Sequence, residues 1–292
     1  MTLKERLDAY EKLMRLDKPI GILLLLWPAL WGLWFASPNY QRLEIVIIFV
    51  VGTILMRSAG CVINDYADRD IDPHVKRTAQ RPLAARLISA KEALLLAGVL
   101  ALLAFALVLF LNKLTVLLSF IALFLAATYP FTKRFFPLPQ AYLGIAYGFS
   151  IPMAFAAYQN TVPPLAWVLL AANIFWAVAY DTEYAMVDRD DDMRLNLKSS
   201  ALLFGVFDVA MVMLCHGIFI AIMAGAGVWL KLGLLYFLGL VLALALIACQ
   251  YWMIRTRERA RCFKAFMNNN WVGAAVFAGL ALDYRFLIPI IK

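Results

Sequence analysis

Two short stretches concentrate the oxygen ligands of this sequence. One reads Asn64-Asp-Tyr-Ala-Asp-Arg-Asp-Ile-Asp72, the other Asp181-Thr-Glu-Tyr-Ala-Met-Val-Asp-Arg-Asp-Asp-Asp192. Residues four apart share a helix face, about one turn above each other. Asn64, Asp68 and Asp72 therefore form one expected stripe, and Asp188 and Asp192 a second, with Asp181 two turns earlier. Pro73 is expected to stop the first helix and leave Asp72 at its end. Carboxylates converging from two helices repel unless cations lie between them. Hard divalent cations take oxygen ligands, and magnesium typically joins one or two carboxylates to substrate phosphates. One such cluster reads equally well as a solvated loop; two with the same spacing argue for a site. An EF-hand would use Asp68, Asp70 and Asp72, but it needs Gly at its sixth position and Glu at its twelfth, which hold Pro73 and Ala79.

Basic residues follow the acids. Lys76, Arg77 and Arg81 lie in VKRTAQRPL, Lys133 and Arg134 follow the fourth apolar run, and Lys198 follows the second acidic stretch. Arg gives bidentate hydrogen bonds to phosphate and Lys a point charge, so metals beside these residues suit a diphosphate. Arg57 differs because it lies inside an apolar run, where a charge is costly and faces a polar cavity or partner.

The elements that must position these groups are membrane spans. The chain is 64% hydrophobic and 16% charged, with a mean hydropathy of +0.79, against about 45–50% and 25% in soluble domains. Runs of about 20 apolar residues cross the hydrocarbon core. Nine spans are expected, near 20–36, 45–63, 93–111, 114–130, 138–158, 164–187, 209–230, 232–254 and 266–288. With the amino terminus in the cytoplasm, 21 of the 27 Lys and Arg fall on the cytoplasmic side and 5 opposite, with Arg57 inside a span. That asymmetry follows the positive-inside rule, so the net charge of +8 reflects topology and no nucleic-acid partner is expected. No cleavable signal peptide is expected. The four cysteines show no paired spacing, and His74 and His216 read as incidental.

The expected fold is an all-α integral membrane protein, one domain over residues 1–292. Both acidic stretches emerge on the same side, four spans apart. Two four-helix halves, related by an axis along the membrane normal, plus a ninth helix would produce that layout.

The pattern N-D-x-x-D-x-x-x-D from Asn64 to Asp72, with a later D-x-x-x-D from Asp188 to Asp192, resembles the intramembrane aromatic prenyltransferases. LDKPIG (16–21), VKRTAQRPL (75–83), YPFTKRF (129–135), SIPMAFAA (150–157), AYDTEYAMVDRDDD (179–192) and KSSALLFG (198–205) are similar to strings of the bacterial 4-hydroxybenzoate polyprenyltransferases of ubiquinone synthesis. The resemblance implies transfer of a polyprenyl group from its diphosphate to the ring carbon ortho to the hydroxyl of 4-hydroxybenzoate, at the cytoplasmic face of the bacterial inner membrane. It implies magnesium held by Asp68, Asp72, Asp188 and Asp192, with Asn64 as a further ligand or orienter. Lys76, Arg77, Arg81, Lys133 and Lys198 would meet the diphosphate. Tyr129 would pair with Lys133 across a four-residue spacing and border the acceptor. Arg134 or Arg57 would hold the acceptor carboxylate, and Asp181 would accept or orient its phenolic proton, so Asp181 and Arg134 are the expected catalytic groups. A transporter would favour carboxylates at the bilayer midplane rather than at helix ends. An alcohol phosphotransferase would carry a D-G-x-x-A-R pattern, which is absent. A naphthoate or porphyrin-type acceptor is disfavoured only by the longer strings.

Overall fold

The computed structural model describes residues 2–37, 41–74 and 78–286. Helices account for most of them, and no strand occurs among the described residues. In order they are α1 (Leu3–Met14), α2 (Ile20–Ala36), α3 (Leu43–Ala67), α4 (Ala90–Val108), α5 (Lys113–Thr132), α6 (Pro139–Gly148), α7 (Ser150–Gln159), α8 (Pro164–Arg194), α9 (Ser200–Phe204), α10 (Asp208–Trp229), α11 (Leu234–Ile254) and α12 (Arg259–Phe286). Polar side chains cap the starts of α1, α4 and α5. Thr2 forms a reciprocal capping box with Glu5, Ser89 accepts from the Glu92 amide and Asn112 from that of Thr115.

Seven helical stretches are long and apolar enough to cross a membrane, counting α6 and α7 as one broken at Phe149 and α9 with α10 as one. The other two expected spans are also helices. Here α2 is apolar but has 17 residues, and α12 falls outside the seven, with Asn268, Asn269, Asn270 and Asp283 along its length. The chain is an integral membrane protein.

The burial pattern is that of a bundle in lipid. Trp31, Trp176, Phe219 and Tyr236 are fully buried in the centre. Leu95 and Leu102 of α4, Phe124 of α5 and Val241 of α11 are exposed, as a surface against acyl chains requires. Helix α8 is the axis of the bundle, packing on α2, α6, α7, α10 and α12. At 31 residues it is about 46 Å long, well beyond the roughly 30 Å hydrocarbon core. Its acidic carboxyl-terminal turns therefore reach past the core. Against it lies α6, at a glycine: a Cβ on Gly144 would stand 2.8 Å from the Ile174 Cα, so no larger residue permits this approach.

Candidate active site

A cavity of about 900 Å³ opens among α2, α3, α5, α6 and α8. Its lining follows α3 from Ile48 to Asp65, about 26 Å at 1.5 Å per residue. The far part is apolar, with Ile48, Phe49, Phe105, Phe120 and Leu123. The near part holds Asn64, Asp65, Asp68, Asp72, Asp181, Asp188, Asp191 and Asp192, beside Arg15, Lys18, Arg81, Lys133 and Lys198.

The first acidic stretch departs from the continuous stripe expected above. Helix α3 ends at Ala67, Asp68 is its carboxyl-terminal cap, and Asp72 opens a 3-10 turn over Asp72–His74. The physical reason precedes Pro73. Asp is a weak helix former, and Asp68, Asp70 and Asp72 would all sit at the negative end of the helix dipole. The amide of Asp72 still donates to the Asp68 carbonyl at 2.8 Å, so the carboxylates stay on one side of the chain. Lys133, the cap residue of α5, ion-pairs with Asp68 Oδ2, and Asn64 Nδ2 lies 3.4 Å from the same oxygen. Arg81 Nη1 bridges Asp72 Oδ2 at 2.9 Å and Asp65 Oδ1 at 3.0 Å. Burial pushes the Asp68 carboxyl above its ordinary pKa, opposed by the Lys133 ammonium.

The second stretch stays helical to Arg194, and Asp181, Asp188 and Asp192 all line the cavity. Behind this rim lies an aromatic pocket. The Arg57 guanidinium stands 5.8 Å from the Tyr147 ring centroid, and Arg57, Tyr129, Tyr147, Tyr180 and Asp181 share the cavity wall. Gly21 makes room for Arg57: a Cβ there would lie 2.5 Å from Nη2. Arg57 Nε is buried with no protein hydrogen-bond partner, and Arg57 itself lines the cavity.

The donor set suits a hard divalent cation. It is all oxygen, divided between two helix ends, and Asp68 Oδ1 is buried without a hydrogen-bond partner. Among the described residues no three His, Cys, Asp or Glu side chains already stand close enough to form a cluster. The acids of the first stretch are neutralised by Lys133 and Arg81 instead.

The model of the UbiA prenyltransferase family matches residues 25–278. The chain belongs to the UbiA prenyltransferase family. It is 63% identical over 284 residues to a protein of Nitrosospira multiformis named 4-hydroxybenzoate octaprenyltransferase, covering 97% of this chain and 98% of that one. A protein of the same name from Nitrosomonas europaea is 61% identical, covering 98% of each chain. The solved apo structure of a UbiA homolog from Aeropyrum pernix K1 superposes with a TM-score of 0.79 at 28% identity, over 90% of this chain and 97% of that one. A UbiA homolog from Archaeoglobus fulgidus, bound to GPP and Mg2+, shares the fold with a TM-score of 0.66 at 19% identity, over 94% of this chain and 99% of that one.

Within this UbiA fold, the cavity brings together Asn64, Asp68, Asp72, Asp181, Asp188, Asp192, Arg57, Arg81, Tyr129, Lys133 and Lys198. Arg134 is not among them. It is exposed, stacks 5.5 Å from the Phe131 ring centroid and donates to the Ala67 carbonyl. The reason is position: it follows the α5 cap, so the chain has turned away from the cavity. Lys76 and Arg77 lie outside the described residues. Sequence reasoning missed Asp65, which is buried and held by Arg15 Nη2 at 2.8 and 3.0 Å. It sits one position off the Asn64–Asp68 spacing, and Arg15 lies 50 residues upstream, so no local pattern links them. Asp191 and Tyr147 were also missed.

Proposed function

We propose that the chain transfers an octaprenyl group from octaprenyl diphosphate to the ring carbon ortho to the hydroxyl of 4-hydroxybenzoate, releasing diphosphate, as a step of ubiquinone synthesis. The observation that carries this reading is the division of one cavity into an acidic–basic rim, a pocket with a buried guanidinium and a long apolar channel. The three parts suit a diphosphate, an aromatic carboxylate and a prenyl chain. The name shared by the relatives supplies the acceptor and makes octaprenyl the first donor to test.

Magnesium bound by Asp68, Asp72, Asp188 and Asp192, with Asn64 as ligand or orienter, supplies Lewis-acid charge neutralisation for the leaving diphosphate. Arg81, Lys133 and Lys198, with Lys76 and Arg77, donate to its oxygens. The carbon–oxygen bond of the allylic ester breaks, and the ring carbon ortho to the phenol oxygen forms the new bond to that allylic carbon. Loss of the ring proton to the released diphosphate restores aromaticity. Tyr129, Tyr147 and Tyr180 line the same cavity, and aromatic rings favour a carbocation-like carbon. Arg57 holds the acceptor carboxylate, in preference to Arg134, because Arg57 alone of the two lines the cavity. Asp181 accepts or orients the phenolic proton.

The bundle forms one domain over 1–292. Nine membrane crossings count α2 through α5, then α6 with α7, α8, α10, α11 and α12. The acidic ends belong to the second crossing of each four-helix half, which supports a repeat. The excess of Lys and Arg at that end, 21 of 27, supports an amino terminus and a site on the cytoplasmic side of a bacterial inner membrane. Purified protein with labelled octaprenyl diphosphate and 4-hydroxybenzoate should form prenylated acid with magnesium and none with chelator. Product formed only with another acceptor ring would overturn the acceptor assignment.

A further inference from the structure

The second acidic end is gripped from behind by a carboxylate that does not line the cavity. Asp208 opens α10 and is fully buried. Arg189 ion-pairs with it, and the same Nη2 donates to the carbonyls of Ala201 at 2.7 Å and Gly205 at 3.0 Å. From the other side Arg257 Nε donates to Asp208 Oδ1 at 3.0 Å and Oδ2 at 3.2 Å, and its Nη2 to the Val206 carbonyl at 2.8 Å. The Val209 amide adds a bond at 2.6 Å. Arg257 adopts φ 55, a left-handed conformation unfavourable outside glycine, held here by these bonds.

The end of α8 and the turn after α11 thus meet on one side chain, and the two arginines that reach it also bind carbonyls of the connection through α9. Arg189 lies one residue after Asp188 and three before Asp192, yet it is not part of the cavity lining that those two share. Lys198 and Ser199, which line the cavity, immediately precede the segment whose carbonyls Arg189 holds. The clamp also sets positive charge beside a helix end carrying Asp188, Asp190, Asp191 and Asp192, which the helix dipole alone disfavours.

We propose that Asp208 is a positioning residue which, through Arg189 and Arg257, fixes the aim of Asp188, Asp192 and Lys198 toward the metal–diphosphate complex. This rests on the reading of Asp188 and Asp192 as metal ligands. Groups that orient ligands from behind typically alter metal affinity by about 10–100-fold, whereas a merely stabilising residue lowers the yield or melting temperature and leaves the affinity of folded protein unchanged.

The test is a Mn2+ titration of the purified full-length protein with inorganic diphosphate, followed by electron paramagnetic resonance, which needs no turnover. Asp208→Asn should weaken Mn2+ binding about tenfold or more. Arg257→Lys, which keeps the charge and loses the fork, should weaken it by a smaller factor at a near-normal melting temperature. Wild-type affinity in folded Asp208→Asn overturns the inference; should that variant not fold, wild-type affinity in Arg257→Lys overturns it. Asp188→Asn is the control. If it too binds Mn2+ like the wild type, the ligand assignment of the preceding section has failed instead.

Discussion

After Ala67 the backbone of α3 leaves the helix, and Asp68 and Asp72 sit on a cap and a 3-10 turn. Helix α8 instead runs on through Asp188 and Asp192 to Arg194. The four-residue spacing is the same in both, so local structure is decided by the counter-charges each end finds. At the first end, Lys133 and Arg81 neutralise Asp68 and Asp72 from within the cavity. At the second, Arg189 and Arg257 meet behind the helix on Asp208, and Arg259 pairs with Asp190 at 2.7 Å. The basic groups of the first end belong to the rim that would meet the diphosphate. Arg189 and Arg257, at the second end, meet on Asp208, which is not part of the cavity lining.

The largest expected effects probe what the two ends share. Asp68→Ala, Asp72→Ala, Asp188→Ala and Asp192→Ala should each lower kcat by at least about 10²–10³-fold, the scale of losing one preorganised electrostatic contact to the transition state. Near-normal turnover by any folded variant would remove that residue from the metal site.

Next come residues at the first end only. Arg81→Ala removes the bridge between Asp65 and Asp72 together with a phosphate donor. It should cost about ten- to hundredfold in kcat/KM for the prenyl donor, from roughly 1.5–3 kcal/mol per charge-assisted bond. The KM for 4-hydroxybenzoate should stay within about twofold, since Arg57 serves that substrate. A large rise in acceptor KM would show that the rim and the aromatic pocket are not separate.

A smaller effect isolates that pocket. Gly21→Ala would push a Cβ into the Arg57 guanidinium, and a displaced rotamer costs roughly 0.5–1.5 kcal/mol. Acceptor KM should rise about two- to tenfold, and the rise should vanish with an uncharged benzamide analogue. Arg134→Ala should show no such dependence on the carboxylate. If the Arg134→Ala penalty shrinks with the neutral analogue and the Gly21→Ala penalty does not, the two arginines exchange roles.

The smallest effects are expected at Asp70 and Asp190, with side chains 83% and 66% exposed. Their Ala variants should keep kcat within about threefold, because exposed ion pairs contribute little.

Much of this site was legible in the sequence because its groups lie at regular intervals on long helices. Asn64, Asp68, Asp181, Asp188 and Asp192 follow a helical spacing, and Arg57 stands out as a charge within an apolar run. The break after Ala67 was not legible as placed, since Pro73 drew attention to a residue further on, while Lys133 and Arg81, which pair with Asp68 and Asp72, lie outside the stretch. Adjacent residues also mislead. Lys133 and Arg134 are equal in sequence, yet the α5 cap turns one inward and the other out. Asp65 and Asp208 escaped notice because their partners, Arg15, Arg81, Arg189 and Arg257, are joined only by the folded bundle.

The central claim is that both acidic ends serve one diphosphate, and a double-variant cycle of Asp68→Asn and Asp188→Asn on kcat/KM tests it most directly. Residues acting as a unit are strongly non-additive, so the double variant should lose little more than the worse single variant. Penalties that multiply would show two independent sites and contradict the account.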